Sequence, residues 1–168
     1  MERARVVIVT GTPGTGKTTL ARRLAKALKC GYVDVNKVVE EEGLREGYDR
    51  GRKTFIVDEG RLAKAIEKRI RSAKVGMVID SHMSHMVSPS LVDSCLVTTC
   101  GLKTLDRRLR KKGYGRAKVD ENVQAEIFDT CAQEARELGH KPVMIDTTKG
   151  IDLKRVLALV KKGMKKKK

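Results

Sequence analysis

A chain of 168 residues is long enough for one domain with its own core, and its 37 Lys and Arg against 21 Asp and Glu give a net charge of +16. Four scattered cysteines (Cys30, Cys95, Cys100, Cys131), no apolar run of about 18 residues and no signal-peptide layout exclude a disulfide scaffold and a membrane span, and point to a cytoplasmic protein with free thiols. The charge implies polyanionic company such as RNA or nucleotide phosphates, with a thermophile-type surface as the competing explanation, while two Phe, three Tyr and no Trp exclude an aromatic platform for stacking bases.

Residues 5–9, apolar from Val6 to Val9, read as a parallel strand covered on both faces and lead into a Gly-rich turn. From Lys17 onward, Leu20, Leu24 and Leu28 recur every four residues, which predicts an amphipathic helix ending near Gly31. Residues 32–35 read as a second strand and 36–44 as a helix. The polar stretch 46–54 carries no periodicity, and 61–72 is a charged helix with Leu62, Ala65, Ile66 and Ile70 inward. Residues 75–80 make a third strand ending in an acid, with 94–98 and 143–146 as the fourth and fifth. Helices are predicted at 102–112, at 119–138 up to Gly139, and at 151–162. This alternation predicts an α/β fold, a parallel five-stranded sheet with helices on both faces. A single domain covers 1–164, and 165–168 reads as a disordered basic tail.

Gly11, Thr12, Pro13, Gly14, Thr15, Gly16, Lys17 and Thr18 match G-x-x-x-x-G-K-[ST] between that strand and that helix, the layout of a P-loop NTPase. Backbone N–H groups there must converge on phosphate oxygens, which glycines permit and a helix N-terminus assists. ATP is therefore expected on residues 11–18 and Thr19, with Lys17 neutralising the β- and γ-phosphates and Thr18 offering a hydroxyl to Mg²⁺. Asp80, at a strand end, is the second expected Mg²⁺ ligand. His82 follows as a candidate for placing the nucleophile, and His85 reads as structural. Lys103, Arg107, Arg108, Arg110, Lys111, Lys112, Arg116 and Lys118 crowd around the flexible Gly113, Tyr114 and Gly115. Such a cationic segment suits a lid over the transferring group, with Arg108 and Lys112 reaching ATP; a solvated basic helix is the competing explanation.

With the P-loop, the Asp80 and His82 pair and the run KGYGRAKVDENVQAEIF from Lys112 to Phe128 in view, the chain resembles the adenylate kinase isoenzyme 6 family, small P-loop NTPases of archaea and eukaryotes. The likeness extends from the first strand to about Phe128. It implies an adenylate-kinase-like fold with a monophosphate-binding region at 34–57 and a short lid at 111–121. It also implies conversion of ATP and AMP to two ADP, ATP hydrolysis, and a role in maturing the small ribosomal subunit. That role brings contact with a platform ribosomal protein and with rRNA or a pre-ribosomal particle. The expected acceptor-side residues are Asp34, Arg45 and Arg50. Where family members often carry arginines, this chain has Glu40 and Thr99, so hydrolysis is expected to be more robust than transfer to AMP, and Arg45 or Arg50 is the expected substitute. Two other readings remain: a small-metabolite kinase of shikimate-kinase type, and a nucleotide-gated RNA-binding assembly factor with little turnover.

Overall fold

The computed structural model describes residues 4–165. The chain runs β1 (Val6–Gly11), α1 (Lys17–Leu28), β2 (Gly31–Asp34), α2 (Val35–Glu41), β3 (Arg45–Asp49), β4 (Thr54–Val57), α3 (Glu59–Ser72) and β5 (Met77–Asp80). Two 3₁₀ turns follow (Ser84–Met86 and Pro89–Leu91), then β6 (Ser94–Thr99), α4 (Leu102–Lys111), α5 (Arg116–Ile127), α6 (Thr130–Glu137), β7 (Pro142–Asp146) and α7 (Leu153–Lys165). Five strands form a parallel sheet in the order β2-β5-β1-β6-β7, as the alternation predicts.

Every residue of β1 is buried because helices cover both of its faces. Its alternating side chains serve two cores: Val6 and Ile8 pack with α2, α3 and α6, while Val7 and Val9 pack with α1 and α7. A third, smaller cluster of Cys100, Leu105, Leu109 and Val119 joins α4 to α5. Register brings the carboxyl ends of the strands level, with Asp80 beside Val9 and Asp34, and Gly11 beside Thr98. Ligands of open parallel sheets bind outside those ends.

The structure departs from the expected elements in two places. Residues 46–54, a polar stretch to which the sequence assigns no element, belong to an antiparallel hairpin of β3 and β4 with a register shift between Arg45 and Gly47. Most of its residues are solvent-exposed, so it has no alternation to detect; Tyr48 and Phe55 pair edge to face at 5.2 Å on its surface. The helix expected at 119–138 is two helices. Asp129, at φ 49°, breaks it, and Ile127, which continues the spacing of Val123, Cys131 and Ala135, is exposed. Smaller shifts occur at ends: α3 starts at Glu59 because the Asp58 carboxylate accepts from Arg61 N at 2.7 Å, and α7 continues to Lys165. Lys165 is thus helical, and the rest of the expected basic tail lies outside the described residues. All four cysteines are free, and among the described residues no helix is long and apolar enough to cross a membrane.

Candidate active site

Gly11, Gly14 and Gly16 take φ of 137°, 91° and 93°, values that side-chain-bearing residues rarely adopt. The curl is secured from within. Thr15, fully buried, donates its hydroxyl to Thr12 O at 2.7 Å and lies 2.7 Å from Thr98 Oγ1 on β6. α4 presses on the loop so closely that a Cβ on Gly14 would come within 2.9 Å of Leu109 Cδ2. Lys17 opens α1 and folds back to donate to Thr12 O at 3.1 Å. Burial pulls its pKa down to about 8, against the opposing pull of Cys131 and Asp80.

Two cavities meet at this loop, and Gly14, Lys17, Thr18 and Lys112 line both. The first, about 670 Å³, runs past Thr19 and Arg108 to Thr147 and Ile151 in the turn after β7. Arg108 ties its walls together, donating to Thr147 O at 2.9 Å, Thr147 Oγ1 at 3.0 Å and Gly14 O at 3.4 Å. Thr147 in turn donates to Thr15 O at 2.7 Å. The second cavity, about 590 Å³, lies beyond Pro13 and contains Asp34, Arg52, Asp80, His82, Lys118 and Glu134.

Asp80 is buried at the end of β5 and accepts from the Tyr32 hydroxyl at 2.9 Å. Burial and the facing Asp80 push Tyr32 up to about 12, so it remains a donor. Asp80 and Thr18 supply the hard oxygen ligands that Mg²⁺ prefers and line one cavity. No cluster of three or more His, Cys, Asp or Glu among the described residues could hold a metal alone, so nucleotide phosphates would have to complete the set. His82 keeps an exposed face in the second cavity, while the cavity wall around it, and then Lys17, pull its pKa down to about 4. It is therefore neutral at physiological pH and able to accept a hydrogen bond.

The acceptor side differs from expectation. Asp34 lines the second cavity and caps α2 through Asn36 N. Neither Arg45 nor Arg50 lines either cavity. Arg45 instead pairs with Glu40 and lies 3.9 Å over the Phe55 ring, which also takes Glu40 away from the cavity. Arg52, in the turn between β3 and β4 where its N–H donates to Asp49 Oδ1 at 3.0 Å, is the guanidinium that lines the second cavity, 3.2 Å from Glu121 of α5. Thr99 accepts at its carbonyl from Thr147 N and sits near Glu126 rather than in the open cavity. Glu126 is buried and accepts from Cys100 N, fastening α5 to the end of β6. The sequence reading missed Arg52, Tyr32 and Thr147; the proximity of Arg52 to two arginines already singled out was the available signal.

Residues 7–129 match the family model described as an AAA domain. An adenylate kinase isoenzyme 6 homolog from Caenorhabditis elegans is 37% identical over 131 residues, covering 78% of this chain and 72% of its own length. The corresponding homolog from Schizosaccharomyces pombe is 36% identical over 140 residues, covering 83% of this chain and 79% of its own. Among solved structures, a shikimate kinase from Bacteroides thetaiotaomicron superposes with a TM-score of 0.63 over 94% of this chain and 98% of its own, at 14% identity, a likeness of fold.

Proposed function

We propose, since the chain belongs to the adenylate kinase isoenzyme 6 family of nucleotide kinases, that it transfers the γ-phosphoryl group of ATP to AMP and to water, in support of small ribosomal subunit maturation. The observation that carries the reading is the pair of cavities meeting at Lys17 and Thr18, one for the donor and one for the acceptor. The P-loop amides bind the donor phosphates and hold the γ-phosphorus toward the second cavity. Lys17 places positive charge where negative charge develops, and neutral His82 orients the attacking oxygen. Thr18 and Asp80 would hold Mg²⁺, which when bound neutralises phosphate charge.

Labelled ATP incubated with AMP or with water alone tests the reading, and release of neither ADP nor phosphate would sink it. Within that assay Asp80→Asn is expected to weaken the dependence on Mg²⁺. His82→Ala is expected to lower kcat by about 10²-fold while changing nucleotide affinity much less, since a residue placing the nucleophile acts mainly in the transition state. Equal loss of affinity would make His82 a binding residue.

The state of the acceptor cavity favours water over AMP. A monophosphate needs cations, and Arg52 meets it only by leaving Glu121. Arg52→Ala is expected to lower kcat/KM for AMP by about tenfold, the low end for a charge-assisted bond to an exposed group, and to leave hydrolysis within about twofold. Unchanged AMP kinetics would show that another cation grips the acceptor.

The ribosomal part of the reading is supported by family membership and by the +16 charge. Contact with a platform protein, rRNA or a pre-ribosomal particle should bring a salt dependence, log K for RNA falling nearly linearly with log salt. Salt-independent binding, or none at low salt, leaves the thermophile-type surface as the explanation of the charge.

A further inference from the structure

His85 has no role in the site as described, yet it is far more enclosed than Lys17 or His82, with 1% of its surface exposed. A buried ring nitrogen left without a partner is destabilising, and both nitrogens of His85 are partnered. Nε2 lies 3.0 Å from Glu134 Oε2 and Nδ1 lies 2.8 Å from Thr10 Oγ1. A carboxylate only accepts, so the proton is assigned to Nε2. Burial, opposed by Glu134, holds the ring's pKa below its usual value and hence keeps the ring neutral. Nδ1 therefore accepts from the Thr10 hydroxyl, whose single proton is shared between Nδ1 at 2.8 Å and the carbonyl oxygen of His82 at 3.2 Å.

These contacts join three pieces of the site. Thr10 is fully buried and precedes Gly11 at the end of β1, and its hydroxyl also lies 3.2 Å from the carbonyl oxygen of His82. Glu134 reaches the same ring from α6 and lines the acceptor cavity. The segment from Ser81 to His85 is clamped onto β1 a second time by Ser84, whose hydroxyl lies 3.0 Å from Val9 O. His140 supports the turn from outside, donating through Nε2 to His85 O at 2.8 Å and Val87 O at 2.9 Å. Rigid support of this kind is what holds a reacting group within the narrow geometry that transfer requires.

We propose that Glu134, His85 and Thr10 form a positioning relay that fixes the His82 segment against the P-loop and aims the Glu134 carboxylate into the acceptor cavity. His85 borders the second cavity with only 1% of its surface exposed, and it is a positioning residue that acts through its two partners. The proposal rests on the reading of the two cavities as an ATP-using site.

Thr10→Val keeps the shape and removes the hydroxyl, and Thr10→Ser restores it. Thr10→Val is expected to lower kcat for ATP hydrolysis about tenfold with KM for ATP within about twofold, and Thr10→Ser to recover most of the loss. Ring nitrogen NMR should report the Nε2–H tautomer of His85 in the unaltered chain and a mixture in Glu134→Ala. Should Thr10→Val fail to fold, Glu134→Ala, on a half-exposed side chain, carries the test, with the same loss of kcat and recovery in Glu134→Gln. Equal kinetics in Thr10→Val and Thr10→Ser, a loss that falls on KM, or equal loss in both Glu134 variants would overturn the relay. No ATP turnover by the unaltered chain would instead overturn the functional reading beneath it.

Discussion

Lys17→Ala is expected to cut ATP turnover by at least 10²-fold while the protein keeps its fold. The site places an ammonium where burial pulls its pKa down to about 8, with Thr12 O as its hydrogen-bond acceptor. A cation held in such surroundings is poorly solvated before the nucleotide arrives, so phosphate charge gains more from it than from a lysine in water. Removing it takes that gain from the transition state. It takes little from the folded protein, because burial makes the charged form less favourable there than in water. Phosphate release in single-turnover assays measures the first effect, and a melting temperature within a few degrees of the unaltered chain, corresponding to about 1 kcal/mol, checks the second. Turnover within a few-fold of normal would remove the phosphate assignment.

Gly11→Ala is expected to act on stability instead. The residue sits at φ 137°, and a Cβ there would meet Thr98 O at 2.5 Å and Thr98 Oγ1 at 2.6 Å. Thr98 is a fully buried residue of the neighbouring strand, so it has nowhere to move. Strained backbone costs about 1–3 kcal/mol and overpacking about as much again, which together correspond to a fall in melting temperature on the order of 5–20 °C for a chain of this size. Calorimetry decides it, and an unchanged melting temperature would mean that the start of the loop is less tightly packed than these distances require.

The parts of the fold legible in the sequence were those whose side chains are sorted by burial. β1 reads as a strand because both of its faces are covered, and α1 reads as a helix because Leu20 and Leu24 face the core while Arg22 and Arg23 do not. The hairpin escaped because exposed strands impose no pattern, and the join at Asp129 escaped because Ile127 continues a helical spacing without being buried. The P-loop and Asp80 were legible because their chemistry is local to a few residues. Thr147 and Glu134 reach the site from far along the chain, and only tertiary packing shows that they arrive. Arg52 was missed for a subtler reason: it sits in the exposed turn between β3 and β4, where no burial pattern distinguishes it from the nearby arginines, and only its place in the fold puts it on the cavity wall.

The two cavities share a wall but have separate contents, Thr147 and Ile151 in one, Arg52 and Glu134 in the other. If the proposed assignment of the two cavities holds, donor and acceptor can be resident at the same time, and neither has to vacate its place for the other. A phosphoryl group passed between simultaneous occupants never needs to rest on the protein, so no side chain is required to carry it covalently from one to the other. Under the proposed function, occupancy of the acceptor side becomes a matter of competition between a mononucleotide and the solvent that fills the same space, and the partition between synthesis of ADP and release of phosphate would follow the cell's supply of mononucleotide.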